Sequence, residues 1–263
     1  MQICKSKDQR LRAEKGFTLI ELSIVIVIIG LIVAGVVGGQ ALVKQSKLRT
    51  LINEINQYQV AVNTFKLEYN HLPGDIPNAY DYWGNSCDST PSNCNGNGNR
   101  KVFPPALDSG STNVTNDFEG YRNWQHLSLA KLVPQNYTGT STGGVVGMGY
   151  ESVAWSKSGK GRITMQHNNN QSIFKSGNVY EVGSFTLEFS GLKPGDGYTP
   201  SISVPDARNV DLKIDDGHAN TGVFIAKDAN CSAAENVVGG ADYNTANLNS
   251  DVLHCRLHYF LGY

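Results

Sequence analysis

Three groups of side chains in this 263-residue sequence have the types and spacing for chemistry. Cys87, Cys94, Cys231 and Cys255 form an even set, with Cys4 far upstream. Four cysteines admit three pairings, and proximity favours Cys87 with Cys94 and Cys231 with Cys255. Zinc is the rival use, but no C-x-x-C pair is present. Asp211, Asp215, Asp216 and Asn220 could turn oxygens toward calcium. Their spacing does not match an EF-hand loop, and a helix end followed by an Asp-Asp-Gly turn accounts for them. His254 and His258 would share an ion on a helix. On a strand they stand about 13 Å apart, too far for one ion. No metal ligand is assigned.

Catalytic motifs are absent. The sequence holds no G-x-S-x-G, H-E-x-x-H, Walker loop or dinucleotide fingerprint, and Gly147-Met-Gly149 lacks a third glycine. Glu151, Glu181 and Glu188 read as strand-face residues rather than a hydrolase pair. Neither an enzyme nor a cofactor is expected. Basic residues number 22 against 23 acidic, for a net charge of −1. Nothing global is available to neutralise a phosphate backbone, so nucleic acid is not an expected partner. Hydrophobic residues at 40% are enough for a core, and 28 glycines favour a strand- and loop-rich body over a helical bundle.

The least ordinary side chain is Glu21. Residues 1–16 carry Lys5, Lys7, Arg10, Arg12 and Lys15 against Asp8 and Glu14. From Phe17 to Val43 the chain is apolar, with no basic residue and one acid, Glu21. Phe17 to Gly38 alone makes about 33 Å of helix, enough to cross a bilayer. The basic flank should stay cytoplasmic while the remainder crosses. A cleaved secretory signal would have a shorter apolar core and a defined small-x-small site. A lipoprotein signal would have a cysteine directly after the run, and the next one is Cys87. A plain signal anchor leaves Glu21 unexplained, since a carboxylate in hydrocarbon costs roughly 2.5–3.5 kcal/mol.

KGFTLIEL, Lys15 to Leu22, resembles the leader-cleavage motif of type IV prepilins and type II secretion pseudopilins. The resemblance implies that a membrane peptidase cuts after Gly16, on the cytoplasmic side, and N-methylates the new terminal residue, Phe17. It makes Glu21 the acid that serves filament assembly. The free amine created at Phe17 lies one turn from Glu21, so the two can meet within one helix or between subunits. Many relatives carry a proline near the end of the apolar run. Here Gly30, Gly35, Gly38 and Gly39 stand instead, and no proline precedes Pro73. The GVVGG stretch is therefore the expected flexible point.

The elements that follow must carry a head. Leu48, Leu51, Ile55, Tyr58, Val62, Phe65 and Tyr69 recur at alternating spacings of three and four, one apolar helical face. Lys47, Arg49, Asn53, Glu54, Gln57, Gln59 and Lys66 take the other positions. A helix laid on its own sheet fits this better than a three-heptad coiled coil. Pro73 and Gly74 are expected to stop it. Counted from Phe17, that helix is about 80 Å long.

Beyond it, NSCDSTPSNCNGNGNR reads as a polar surface loop. Tyr121 to Val133 reads as a helix with Trp124, Leu127, Ala130 and Leu132 inward and Pro134 ending it. LPGDIPNA and WQHLSLAKLV are similar to segments of pilin-like proteins of unassigned role. Strands are expected at 145–146 and 150–155, with a bulge at Gly147 and Gly149, and at 162–166, 179–189 and 223–226. A helix is expected from Pro205 to Gly217, with Ala207, Val210 and Ile214 inward. The closing strand should turn Leu253, Cys255, Leu257, Tyr259 and Leu261 to one face and His254, Arg256 and His258 to the other.

The expected fold is α+β: a long amino-terminal helix packed on a carboxyl-terminal antiparallel sheet. Its divisions are a cleaved leader at 1–16, a transmembrane and polymerisation helix at 17–43, an amphipathic continuation at 44–72 and a globular head at 73–263. The resemblance implies a structural subunit of a type IV pilus or type II secretion pseudopilus. Its expected partners are prepilin peptidase, other pilin or pseudopilin subunits, the inner-membrane assembly platform and the membrane itself. It would sit in the bacterial inner membrane with a periplasmic head, then in the filament. The alternative is a filament-borne adhesin or substrate-recognition module, which exposed rings at Tyr80, Tyr82 and Trp83 would support.

Overall fold

The computed structural model describes residues 16–102, 119–139, 154–159, 161–167, 185–192, 198–228, 230–233 and 242–262. The chain divides into two compact units, Met1–Ser46 and Lys47–Tyr263. Helix α1, Leu19–Tyr69, contributes to both. Residues 1–15 of the leader and the expected strand at 145–146 with its glycine bulge lie outside the described residues.

In the first unit every side chain of α1 is exposed. The helix runs unbroken through Gly30, Gly35, Gly38 and Gly39, so GVVGG introduces no interruption. Among the described residues α1 is the helix with a stretch long and apolar enough to cross a membrane.

In the second unit α1 turns amphipathic. Leu48, Leu51, Ile55, Tyr58, Val62 and Phe65 are buried and Tyr69 half-buried, the face the spacing predicts. Glu54 departs from the expected polar side and is buried. Asn70, not Pro73, ends the helix. It adopts the left-handed conformation (φ 55°) and donates its N–H to Lys66 O at 2.9 Å, the bond that closes a helix after its last turn.

Among the described residues, three α-helices follow before the first strand: α2 at Ala79–Trp83, α3 at Pro91–Cys94 and α4 at Glu119–Leu129. Helix α4 stops before Pro134. Lys131 is left-handed (φ 61°), with Leu132 N–H bonded to Leu127 O and Lys131 N–H to Ser128 O, a Schellman closure. Its burial is also not one-sided, since every residue from Glu119 to Ser128 is buried.

Seven strands are present among the described residues: β1 Ala154–Trp155, β2 Arg162–His167, β3 Phe185–Leu192, β4 Tyr198–Thr199, β5 Ile202–Ser203, β6 Phe224–Lys227 and β7 Leu253–Phe260. Helix α5, Val204–Ile214, lies between β5 and β6. Every pairing is antiparallel, in the path β1-β2-β3-β7-β5, with β4 on β3 and β6 on β7. This is the expected α+β, pilin-like layout.

Cross-strand rows explain the core. Ile163, Phe189, Leu257 and Ala226 align across β2, β3, β7 and β6, as do Met165, Leu187, Tyr259 and Phe224. These apolar rows are buried in one cluster with the inner face of α1. Tyr259 OH donates to Gln59 Oε1 at 3.2 Å, tying β7 to that helix. Between them runs the row Thr164, Glu188, His258 and Ile225. The alternation in β3 and β7 predicts a solvated polar face, yet all four residues are buried. Buried charge needs partners, and Glu188 has one: Arg256 donates to it at 3.2 Å while chelating Asp228. Leu253, expected inward, is exposed.

Candidate functional site

The amino-terminal site is built by the helix start itself. Gly16 and Phe17 precede α1 and are exposed. Thr18 stands at the cap position. Glu21 Oε2 accepts the Thr18 N–H at 2.8 Å and the Thr18 hydroxyl at 2.8 Å, while Glu21 N–H donates to Thr18 Oγ1 at 3.3 Å. This reciprocal capping box satisfies amides that no intrahelical carbonyl can reach. Glu21 therefore has a partner inside its own helix. The T-x-x-E spacing that signals Thr18 is legible in the sequence.

Residues 11–37 match the family model described as the prokaryotic N-terminal methylation motif, which is the prepilin motif of type IV pilins and pseudopilins. The chain carries a prepilin motif. No curated protein and no solved structure matches the chain. The prepilin motif implies processing by prepilin peptidase and assembly with other pilin subunits. With one long apolar helix at the amino terminus, it fits membrane anchoring and a pilus filament.

In the head, the turn at Leu72–Asp75 and helix α4 interlock. Gly74, in LPGD, donates its N–H to His126 Nδ1 at 2.9 Å. That bond fixes the tautomer, so Nε2 carries the proton and donates to Cys94 O at 3.0 Å. Burial holds His126 down at a pKa of about 3. Gly74 is left-handed (φ 89°), and a Cβ there would stand 2.5 Å from Glu119 O. Other polar side chains of α4 pin the surrounding loops. Asn123 donates to Met165 O at 2.7 Å, and Gln125 to Cys87 O at 2.6 Å and Thr138 O at 2.9 Å. Arg122 reaches Asn95 O and Ser92 O. Glu119 accepts Asn97 N–H at 3.0 Å, and Asp75 accepts Arg100 N–H at 2.8 Å. Burial raises the Asp75 carboxyl against those amides.

The cysteines are joined in the two sequence-adjacent pairs, Cys87 with Cys94 and Cys231 with Cys255. All four are buried. The Cys87–Cys94 loop thus belongs to the core at α4 and is not merely a polar excursion. Cys87, Cys94 and His126 do cluster within 4.8 Å. Both sulfurs are committed to the disulfide and both imidazole nitrogens to backbone groups.

Oxygens of Asp211, Asp215 and Asp216 also lie within 4.8 Å of one another. Each carboxylate organises its own loop. Asp211 accepts from Tyr243 OH at 2.7 Å and Gly217 N–H at 3.1 Å. Asp215 accepts the outward N–H of Phe224 at 2.8 Å, blunting the β6 edge. Asp216 accepts His218 N–H at 2.9 Å. Burial raises Asp211 to about 7. His254 is half-buried and His258 fully buried on β7. Glu151 and Glu181 lie outside the described residues.

Of the three rings expected at the surface, Tyr82 is exposed, while Tyr80 and Trp83 are half-buried. Trp83 packs on Tyr69 at 5.3 Å and on His126 at 5.0 Å, so it belongs to the aromatic layer under α1. Glu54 is a polar clamp that periodicity misses. It accepts Lys157 N–H at 2.6 Å and the Ser156 hydroxyl, holding the β1–β2 turn against α1.

Proposed function

We propose that this chain is a structural, non-catalytic subunit of a type IV pilus or type II secretion pseudopilus. Prepilin peptidase removes residues 1–16, cutting between Gly16 and Phe17, and methylates the Phe17 amine. The apolar stretch 17–43 holds the subunit in the inner membrane, head in the periplasm, until the assembly platform passes it into the filament. Glu21 then serves assembly, and residues 73–263 are displayed. The observation that carries this reading is the prepilin motif at residues 11–37, set where a basic flank meets an apolar helix. The two head disulfides suit an oxidising compartment. A head this large suits a minor or specialised subunit better than one packed at every filament position. Tyr82, as the exposed one of the three rings, does not by itself favour an adhesin head.

Mass spectrometry of the mature protein tests the reading. Phe17 should be the terminal residue and one methyl heavier. Gly16→Lys should block the cut, because a bulky cation replaces the smallest residue. Recovery of the full leader on assembled protein would sink the proposal.

A further inference from the structure

The chain that follows the apolar run carries Lys44, Lys47 and Arg49. The proposed orientation puts them on the head side of the membrane, the flank from which basic residues are ordinarily depleted. Residues 22–53 contain no acid to compensate them. The first that follows, Glu54, is turned into the head, where it accepts Lys157 N–H at 2.6 Å and the Ser156 hydroxyl. All three cationic side chains are exposed. Leu48, between Lys47 and Arg49, is the first buried residue of α1, so the head begins among these cations.

We propose that Lys44, Lys47 and Arg49 bind the phosphates of anionic phospholipids in the leaflet on the head side of the membrane. The inference rests on the membrane reading of residues 17–43 and adds a lipid class and the residues that hold it. The polar layer of a bilayer is about 5–8 Å deep on each side of the hydrocarbon, and cations placed directly after the apolar run emerge into it. Lys and Arg stems lie along apolar surface while their charged heads reach the phosphates. An Arg fork takes two phosphate oxygens, and Lys supplies a point charge. Lys47 and Arg49, two residues apart, point about 200° apart around α1. A partner protein engages one side of a helix, whereas a headgroup layer surrounds it. Once the leader leaves with its five basic residues, these three are the basic side chains of residues 17–65. They then supply the cationic hold of the processed subunit on the membrane.

The test reconstitutes the full mature chain in phosphatidylcholine vesicles, with spin-labelled phosphatidylglycerol and spin-labelled phosphatidylcholine as probes of the lipid shell. The wild type should prefer the anionic probe by about fivefold or more, the factor that one Lys or Arg near an anionic surface supplies. Molar salt should remove most of that preference. Lys44→Gln/Lys47→Gln/Arg49→Gln should take up both probes equally, while Lys44→Arg/Lys47→Arg/Arg49→Lys should keep the preference. All three positions are exposed, so both variants should keep the melting profile of the head. A wild type without the preference overturns the proposal, as does a preference that survives in the neutral variant or disappears in the charge-conserving one. Unchanged lipid preference with lost filament yield in the neutral variant would give these cations to an acid of a neighbouring subunit instead. Protease treatment of the same vesicles separates this inference from the membrane reading. Digestion of residues 17–43 overturns the membrane reading, whereas protection of that stretch without an anionic preference overturns the lipid assignment alone.

Discussion

The backbone N–H of Gly74 ends on the imidazole Nδ1 of His126, 2.9 Å away and 52 residues later in the chain. Through that contact the turn after α1 and the helix α4 become one buried unit. The other imidazole nitrogen bonds Cys94 O, so the disulfide loop is held by the same ring.

Gly74→Ala should therefore destabilise the head. Alanine would have to adopt a left-handed backbone, at about 1–2 kcal/mol, and its Cβ would meet Glu119 O at 2.5 Å. A loss of about 2 kcal/mol or more is expected. Urea unfolding followed by tryptophan fluorescence measures it. An unchanged midpoint would show that the turn relaxes away from α4.

Acid should weaken the head. Burial lowers His126 and His258 to about 3 and His167 to about 4, so protonation favours the unfolded chain. Because these folded values lie below the ordinary 6.5, the destabilisation begins as pH falls below about 6.5 and grows until the folded values are reached. Asp211 has the opposite sign. Its folded value of about 7 lies above that of the unfolded carboxyl, so its contribution is greatest in acid and fades as pH rises toward 7. Burial also raises Asp75 and Asp215, which act in the same direction as Asp211, but the three imidazoles together carry the larger displacement across this range, and a net loss of stability is expected between pH 7 and pH 4.5. Melting temperatures across that range test it. His258→Leu should flatten the slope by removing one of the three titrating groups, and among the described residues Nε2 has no hydrogen-bond partner to lose. A Tm that rises on acidification would contradict the assignment.

Both disulfides should matter. The Cys231–Cys255 pair has a sequence separation of 24 and ties β7 to the chain beyond β6, for which loop closure gives on the order of 3 kcal/mol. The Cys87–Cys94 pair, with a separation of 7, gives about 2 kcal/mol by the same argument. Replacing each pair by alanines and comparing melts should rank them in that order. The difference should be modest, because both pairs are buried. Non-reducing peptide mapping of the exported protein should recover these two linkages, and free thiols would overturn them.

Local pattern made much of this legible. The spacing of three and four from Leu48 to Tyr69 marks a helical face because burial repeats with the helix turn. Alternation in Leu253–Phe260 marks a strand for the equivalent reason. What stayed hidden depends on contacts distant in sequence. Glu54 looks like a solvated acid until the Lys157 amide arrives 103 residues later. His258 looks like the wet side of a strand until the outer face of the sheet proves buried. Ten consecutive buried residues on α4 leave no amphipathic signal, since their polar groups are satisfied by loops rather than by water. The T-x-x-E spacing marks Thr18 as a cap, a signal overshadowed by the cost of the Glu21 carboxylate in an apolar run.

Glu21 now has two possible roles, and one substitution separates them. As a cap, it needs only an acceptor for the Thr18 amide and hydroxyl, 2.8 Å away in each case. As a counter-charge, it must be anionic to meet the amine that processing creates at Phe17, on its own or a neighbouring subunit. Glutamine serves a capping box almost as well as glutamate but carries no charge. Glu21→Ala removes both roles; Glu21→Gln removes the second alone. Both variants should insert, since each makes the segment less costly to place in hydrocarbon. Both should fold their heads, because residues 73–263 are remote in sequence. The filament proposal predicts that both lose assembly, since a buried amine left without its counter-charge costs several kcal/mol. Sheared-filament yield against membrane-pool protein is the measurement. If Glu21→Gln polymerises like the wild type while Glu21→Ala does not, Glu21 acts through the helix cap. If both polymerise normally, the acid has no part in assembly, and the counter-charge role is lost.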